Sequence, residues 1–267
     1  MREQPIWILC ILVMISLFSC KKKEGVFTEQ AVKSEDWIQL FNGKDLSNWK
    51  VKIKGYPLEE NFGNTFRAEG GVIKVDYSAY DDFDNRFGHL FYEIPFSSYR
   101  LKLTYRFTDG QAIGGEQWAL KNSGVMIHSQ SPESMATEQD FPVSVEVQLL
   151  GGLIEGEERS TANVCTPGTH VEINGSLTVE HCVDSSSETY YEDQWVNVEL
   201  LVLGDSLIVH QVNGKEVMRY SKPTIGGEYN ATPELEGEEL TSGYIALQSE
   251  SHPIEFKNIE LLNLEKN

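Results

Sequence analysis

Alternation between apolar and polar residues is the dominant pattern in this chain after Asp36. It is clearest at residues 99–107, where aromatic residues or leucine at every second position are separated by arginine, lysine and threonine. Successive side chains of a strand point to opposite faces, so this period of two predicts a half-buried β-strand. Sustained helical spacing of apolar residues is absent from this part of the sequence. We therefore expect a domain built mainly from strands.

Turn residues separate the predicted strands at short intervals. Gly204-Asp205 and Asn213-Gly214 lie between apolar runs, which predicts a three-stranded meander, and a polar turn with Pro253 predicts a closing hairpin. The corresponding strands are predicted at residues 196–200, 207–212, 216–220, 244–248 and 254–262. Many short antiparallel strands favour an all-β sandwich or jelly roll of two sheets over a parallel α/β fold.

The N-terminal region has the features of a bacterial lipoprotein signal. An apolar run at residues 6–18 follows Arg2 and is too short to span a bilayer as a permanent helix. It ends in the sequence LFSC at Cys20, which resembles a lipobox, although Phe18 is unusual at its position. The alternative is an ordinary secretory signal with a coincidental cysteine. We expect a signal peptide at 1–19, lipidation at Cys20 with a tether over 20–35, and one domain at 36–267.

Charge limits the partners, and the proposed anchor limits the location. The formal net charge is −19, which argues against nucleic acid as a partner. A lipid anchor would hold the domain at the membrane of the cell envelope. No acidic run directly follows the three lysines at 21–23, so we favour the periplasmic face over the outer surface.

Cys165 and Cys182 are the cysteines that remain in the predicted domain. An oxidising compartment allows them to form a disulfide that closes a long loop region. A zinc site that also uses His170 and His181 is the alternative. These four residues lack the paired short spacings of a structural zinc site, so the disulfide is the favoured interpretation.

Six segments in order resemble the domain of unknown function 1080 family, also called the 3-keto-disaccharide hydrolase domain. They are LFNGKDLSNW (40–49), NSGVMIH (122–128), EVQLL (146–150), HQVNGK (210–215), GYIALQ (243–248) and IEFKNI (254–259). The resemblance implies a concanavalin- or laminarinase-like jelly roll with two curved antiparallel sheets and a sugar groove on the concave face. Many family members have an acidic or amide residue after the EVQ stretch. This chain has Gly151-Gly152 there instead.

Strand alternation brings candidate site residues to shared faces. Glu146 and Gln148 share one face of their strand, while Asn122 and His128 share one face of another. A carboxylate between large apolar neighbours is partly desolvated, which favours a functional role for Glu146. For the others the alternative is an ordinary solvated strand face. Candidate sugar contacts are Asn122, Gln148, Trp118, Gln248 and His210, although the position of His210 before a hairpin turn favours a structural role.

The family resemblance implies cleavage of 3-keto-glycosides by elimination at C1–C2 with subsequent hydration. A ketone at C3 acidifies the C2 proton, so a single base can start the reaction. On this interpretation, Glu146 or His128 is the base and the other protonates the leaving oxygen. The donor to the developing enolate stays open between Asn122, Gln148, a basic residue and a metal. The sequence identifies no certain cofactor, and the fold class allows a divalent cation such as calcium without naming its ligands.

Two other functions compete with this interpretation. A non-catalytic carbohydrate-binding lipoprotein could use the same groove, because a fold does not fix a function. A conventional endo-glycosidase is the third hypothesis, and it normally needs a pair of carboxylates. Position 148 is Gln and position 151 is Gly, which argues against such a pair on the Glu146 strand.

Overall fold

Seventeen strands form two antiparallel sheets in the computed structural model, which describes Met1 and residues 37–108, 110–191 and 194–265. The strands are β1 Trp37–Gln39, β2 Trp49–Ile53, β3 Phe66–Glu69, β4 Val72–Val75, β5 Gly88–Tyr92, β6 Ser98–Phe107, β7 Asn122–Ser129, β8 Val145–Leu150, β9 Asn163–Cys165, β10 Thr169–Ile173, β11 Ser176–Thr178, β12 Cys182–Val183, β13 Val196–Leu203, β14 Leu207–Val212, β15 Lys215–Ile225, β16 Tyr244–Ser249 and β17 Ile254–Asn263. Short 3₁₀ turns occupy Phe62–Asn64, Gln117–Ala119 and Pro233–Leu235.

One sheet has ten strands and the other has seven. The ten-stranded sheet runs β11-β10-β15-β14-β13-β6-β17-β4-β3, with β1 paired to β17, and the seven-stranded sheet runs β12-β9-β8-β7-β16-β5-β2. All the pairings between these strands are antiparallel. The prediction of an all-β, concanavalin-like jelly roll is therefore confirmed.

The core lies between the two sheets and is built by the period-two pattern. On β6, Leu101, Leu103 and Tyr105 are buried in it. Val125 of β7 and Val147 of β8 are buried in the same apolar cluster from the opposite sheet. The alternate residues of β7 and β8 therefore lie on the other face of the seven-stranded sheet, which we call the site face.

The meander prediction is confirmed, and the closing-hairpin prediction is wrong. β13, β14 and β15 are successive neighbours in the ten-stranded sheet. β16, however, pairs with β5 and β7 in the seven-stranded sheet, whereas β17 pairs with β6, β4 and β1 in the other. A short polar connection can join two strands within a sheet or carry the chain from one sheet to the other, and the local sequence does not distinguish these cases.

The predicted disulfide is present between Cys165 and Cys182, with a Cα–Cα distance of 4.1 Å. It joins β9 to the edge strand β12, whose residues Cys182 and Val183 pair with Cys165 and Val164. The bond therefore fixes the edge of the seven-stranded sheet and both ends of the segment between the two cysteines.

The predicted signal peptide, the tether and the lipidation site Cys20 lie outside the described residues. Among the residues that the structure describes, no helix has the length and apolar character needed to cross a membrane.

Candidate functional site

Polar side chains converge on the site face of the seven-stranded sheet. Glu146 and Gln148 of β8 lie there, and Gly124 pairs with Gln148 on the neighbouring β7. Asn122 shares this face, because it lies two residues before Gly124. Sequence alternation therefore located three of the predicted site residues on one surface.

A cavity of about 280 Å³ opens above these residues. Its wall combines two carboxyl groups, two amides, aromatic rings and the disulfide: Trp118, Asn122, Phe141, Glu146, Gln148, Cys165, Pro167, His181, Cys182, Tyr229 and Glu250. Concave sites of this mixed apolar and polar character are typical of small-molecule binding. Four predicted site residues, Trp118, Asn122, Glu146 and Gln148, line this cavity together.

The cavity contains a second carboxyl group, Glu250, which the sequence analysis missed. Glu146 is 6% exposed and Glu250 is 3% exposed. Burial raises the pKa of Glu250 to about 8. Burial, together with the nearby Glu250 charge, also raises the pKa of Glu146 well above its usual value. Two close carboxyls cannot both ionise easily, so near neutral pH the pair retains at least one proton.

Gly124 provides the space in which the Glu146 carboxyl lies. A Cβ atom at position 124 would collide with the side chain of Glu146. The strand register places Gly124 beside Gln148 rather than directly opposite Glu146. The Glu146 side chain therefore reaches diagonally over β7, toward the middle of the site face.

An arc of aromatic rings borders the cavity. The Trp118 ring stacks on Phe87 at 6.1 Å, Phe87 contacts Phe141 at 5.0 Å, and Phe141 meets Tyr229 at 5.3 Å. Trp118 and Tyr229 at the ends of the arc are 50% and 49% exposed. Exposed rings with one polar atom suit the apolar C–H face of a sugar ring, so the prediction for Trp118 agrees with its position.

His181 also lines the cavity, at the end of the segment closed by the disulfide. Its ring lies 5.2 Å from the ring of Tyr229. Burial lowers its pKa, an effect that the charge of Glu228 partly opposes. From the sequence, His181 is a candidate only as a zinc ligand, because its distance from β8 along the chain gives no sign that the disulfide brings it to the same cavity.

The amide side chains of the site differ in their hydrogen bonding. Gln148 Oε1 accepts a hydrogen bond from Asn163 Nδ2 at 3.1 Å. Asn122 Oδ1 and both amide atoms of Gln248 are buried without a hydrogen-bonding partner in the described structure. Gln248 does not line the cavity. It lies adjacent to it, because Glu250, two residues further along the chain, is part of the wall.

The structure does not bring His128 to the cavity. Its φ angle is +48°, and the pairing of β7 with β16 shifts register at this point. The bulge reverses the direction of the side chain, and Nε2 lies 3.0 Å from the carbonyl oxygen of Gly204, in the ten-stranded sheet's β13–β14 turn. Simple alternation placed His128 beside Glu146 because the sequence does not reveal this bulge.

His210 likewise lies away from the cavity, which agrees with the structural alternative stated for it. It is fully buried on β14. Nδ1 lies 2.9 Å from the carbonyl oxygen of Ala162, and Nε2 lies 2.9 Å from the hydroxyl of Tyr220. These contacts occupy both ring nitrogens, so His210 connects the two sheets and has no nitrogen left for a sugar.

The described residues contain no group of three or more His, Cys, Asp and Glu side chains placed to hold a metal ion. A divalent cation such as calcium stays a prediction from the fold class.

Buried carboxyls beneath exposed aromatic rings, on one sheet of a concanavalin-like jelly roll, are the features of a protein that handles carbohydrate. A family model described as the 3-keto-alpha-glucoside-1,2-lyase-like domain matches residues 36–262. The chain belongs to this family.

Solved structures with a similar fold include two candidate glycosyl hydrolases from Parabacteroides distasonis ATCC 8503. They are 18% and 19% identical to this chain, with TM-scores of 0.52 and 0.51. The alignments cover 88% and 85% of this chain and 98% and 99% of theirs. At this identity the likeness establishes the fold alone. No curated protein matches the sequence significantly.

Proposed function

We propose that this domain cleaves 3-keto-glycosides by elimination across C1–C2 and then adds water to the product. The observation that carries the proposal is the carboxyl pair of Glu146 and Glu250 in one cavity. Because the pKa of each is raised, one carboxyl can hold a proton while the other accepts one. An acid and a base side by side are what elimination of a poor leaving group requires.

The proposed steps balance within the pair. The ionised carboxyl removes the C2 proton, and the electron pair moves into an enolate on the C3 oxygen. The enolate re-forms the ketone, a C1=C2 double bond forms, and the glycosidic C1–O bond breaks. The protonated carboxyl gives its proton to the departing oxygen. The carboxyl that acted as the base now holds the proton, and the carboxyl that acted as the acid is ionised.

Hydration restores the starting state of the carboxyl pair. The carboxylate that has just lost its proton takes one from water as the oxygen attacks C1. The other carboxyl, which took the C2 proton, returns a proton to C2. The net result is hydrolysis. This exchange of roles requires two carboxyls in similar environments. In the proposed reaction, Glu146 and Glu250 therefore take the place of the Glu146–His128 pair expected from the sequence.

The aromatic arc and the cavity size support a ring-shaped substrate. Trp118 and Tyr229 are half exposed at the edge of the cavity, where their rings can stack on a sugar. Asn122 and Gln148 supply amide groups to ring hydroxyls. The same features would serve a non-catalytic carbohydrate-binding protein, so turnover is the measurement that separates the two functions.

The test follows sugar release from a 3-keto-glucoside and from the matching ordinary glucoside. Cleavage of the keto substrate alone is expected. Glu146→Gln and Glu250→Gln should each reduce turnover by about 10²- to 10⁴-fold, the usual contribution of an acid or base. Glu155→Gln, on the exposed loop after β8, is the matched control. Full turnover in both site variants would refute the mechanism, and binding without any turnover would identify a carbohydrate-binding protein.

We also propose that Cys20 carries a lipid that holds the domain at the cell envelope, facing the periplasm. The disulfide between Cys165 and Cys182 supports a compartment in which thiols oxidise. Metabolic labelling with a radioactive fatty acid should mark the wild-type protein and not Cys20→Ala. A variant that keeps both the label and the membrane fraction would contradict the assignment.

A further inference from the structure

Gln248 is a fully buried amide without hydrogen bonds in the middle of the site face. Its exposed fraction is 0%, and neither Oε1 nor Nε2 has a partner among the described residues. Leaving a buried polar group unpaired costs on the order of 1–3 kcal/mol. Native structures contain few such groups, and each one calls for a ligand, a water or a function.

His89 lies directly opposite Gln248 on the neighbouring strand β5. It is also 0% exposed, and both of its ring nitrogens are unpaired. Burial lowers its pKa to about 3, so the ring is neutral and has one N–H donor and one acceptor. Directly opposed residues have Cβ atoms about 4.5–5.5 Å apart, so a small side-chain rotation brings the ring to the amide.

Gln248 also borders the carboxyl pair. Leu247 pairs with Val125, which places Gln248 beside Gly124, the residue covered by the Glu146 carboxyl. Glu250 lies two residues beyond Gln248 and lines the same cavity. The unpaired amide is therefore next to both groups that move protons in the proposed reaction.

We propose that Gln248 donates a hydrogen bond to the C3 carbonyl oxygen of the substrate, and that His89 positions this amide. The inference rests on the proposed function and names the enolate partner that the carboxyl pair lacks. His89 N–H donates to Gln248 Oε1, and a rotation of the Gln248 side chain then turns Nε2 from its buried position into the adjoining cavity. As the C2 proton leaves, charge grows on the C3 oxygen and the amide hydrogen bond strengthens, so it stabilises the enolate more than the ketone.

The test uses a six-membered 3-keto sugar ring without an exocyclic oxygen at C1, 3-keto-1,5-anhydroglucitol. This probe has no glycosidic bond to cleave, so exchange of its C2 hydrogen in D₂O, followed by NMR, reports enolate formation without glycoside cleavage. Gln248→Leu should slow the exchange by about 10²- to 10³-fold, the usual effect of removing an oxyanion donor. Its thermal stability should not fall, because an apolar replacement removes an unpaired buried amide.

His89 has its own pair of variants. His89→Leu should slow exchange about tenfold, and His89→Asn, which keeps a donor near the same position, should restore it to within about threefold of wild type. Gln211→Leu on β14 of the other sheet is the control for glutamine replacement. If Gln248→Leu does not fold, Gln248→Asn withdraws the amide by one methylene and keeps the polar group.

The outcomes separate this inference from the proposed function. Cleavage of the keto-glucoside by the wild type, with exchange within threefold of wild type in the Gln248 variants, overturns the role of Gln248 and leaves the proposed function standing. A wild type that neither cleaves nor exchanges overturns both. Slow exchange in His89→Asn as well as His89→Leu overturns the positioning role of His89.

Discussion

Replacing Glu250 with Gln should make the protein more stable at neutral pH and flatten the pH dependence of its unfolding. In the folded chain the pKa of Glu250 is raised from 4.5 to about 8, with burial as the first cause. Between these values the folded state keeps a proton that the unfolded chain loses. The contribution of Glu250 to the free energy of unfolding is therefore greatest below pH 4.5 and falls as the pH rises toward 8. Glutamine has no proton to lose and removes this dependence.

The magnitude follows from the same shift. Between pH 5 and pH 7.5, a span of about 2.5 pH units, each unit contributes at most about 1.4 kcal/mol and less near either pKa, so Glu250 alone lowers wild-type stability by about 3 kcal/mol. Coupling to Glu146 divides this effect between the two carboxyls, so the double variant should lose the dependence most completely. The measurement is urea unfolding at several pH values across this window.

Glu155→Gln is the matched control, because it removes an exposed carboxylate and should keep the wild-type pH slope. The reasoning fails if Glu250→Gln unfolds with the same pH slope as wild type, since the carboxyl would then titrate as it does in water. The reasoning also fails if the wild type becomes more stable as the pH rises from 5 to 7.5 and the Glu250→Gln variant does not.

Three further changes test the site and its frame. Trp118→Ala should weaken sugar binding by about fivefold, through loss of a stacking surface worth about 1 kcal/mol, and Trp118→Phe should retain most of the affinity in calorimetric titration. Gly124→Ala should displace the Glu146 carboxyl and lower turnover more than affinity in steady-state kinetics. Cys182→Ala opens a disulfide of sequence separation 17 and should cost about 3 kcal/mol in urea unfolding; an unchanged midpoint would contradict its structural role.

The sequence was sufficient to locate one half of the site. Period-two alternation identifies which residues of a strand share a face, and it correctly grouped Glu146 with Gln148. Alternation assumes an uninterrupted strand. It fails at His128, where a bulge with positive φ turns the side chain to the opposite side of the sheet.

The other half of the site depends on contacts that no local pattern encodes. Phe141, His181 and Tyr229 come from connections between strands and reach the cavity only once the sheets have assembled. A disulfide between Cys165 and Cys182 could be inferred from the compartment, but the position of His181 beside the cavity follows from the pairing of β9 with β12. Loops carry such residues because a rigid scaffold fixes their ends.

Glu250 shows how an error in topology concealed a residue of the site. Interpretation of residues 244–262 as a hairpin treated the connection after β16 as an exposed turn, where a glutamate is ordinary. The chain instead crosses between the sheets there, and Glu250 and Ser251 are both buried. The alternation of side chains that places Gln248 on the site face also places Glu250 there, two residues later. The sequence therefore indicates the position of Glu250 once the crossing between the sheets is recognised.

The crossing segment also explains how a carboxyl beyond the end of a strand keeps a fixed position. Ser251 adopts a φ of +84°, a conformation that is uncommon for a residue with a side chain. Its N–H donates to the Tyr77 hydroxyl at 2.9 Å, its carbonyl accepts from the N–H of Ala112 at 2.8 Å, and its hydroxyl accepts from Gln111 at 2.9 Å. Strained backbone persists only where surrounding contacts determine it, and such residues concentrate at functional sites. The three bonds hold the residue next to Glu250 and so fix the backbone from which the second carboxyl of the pair projects.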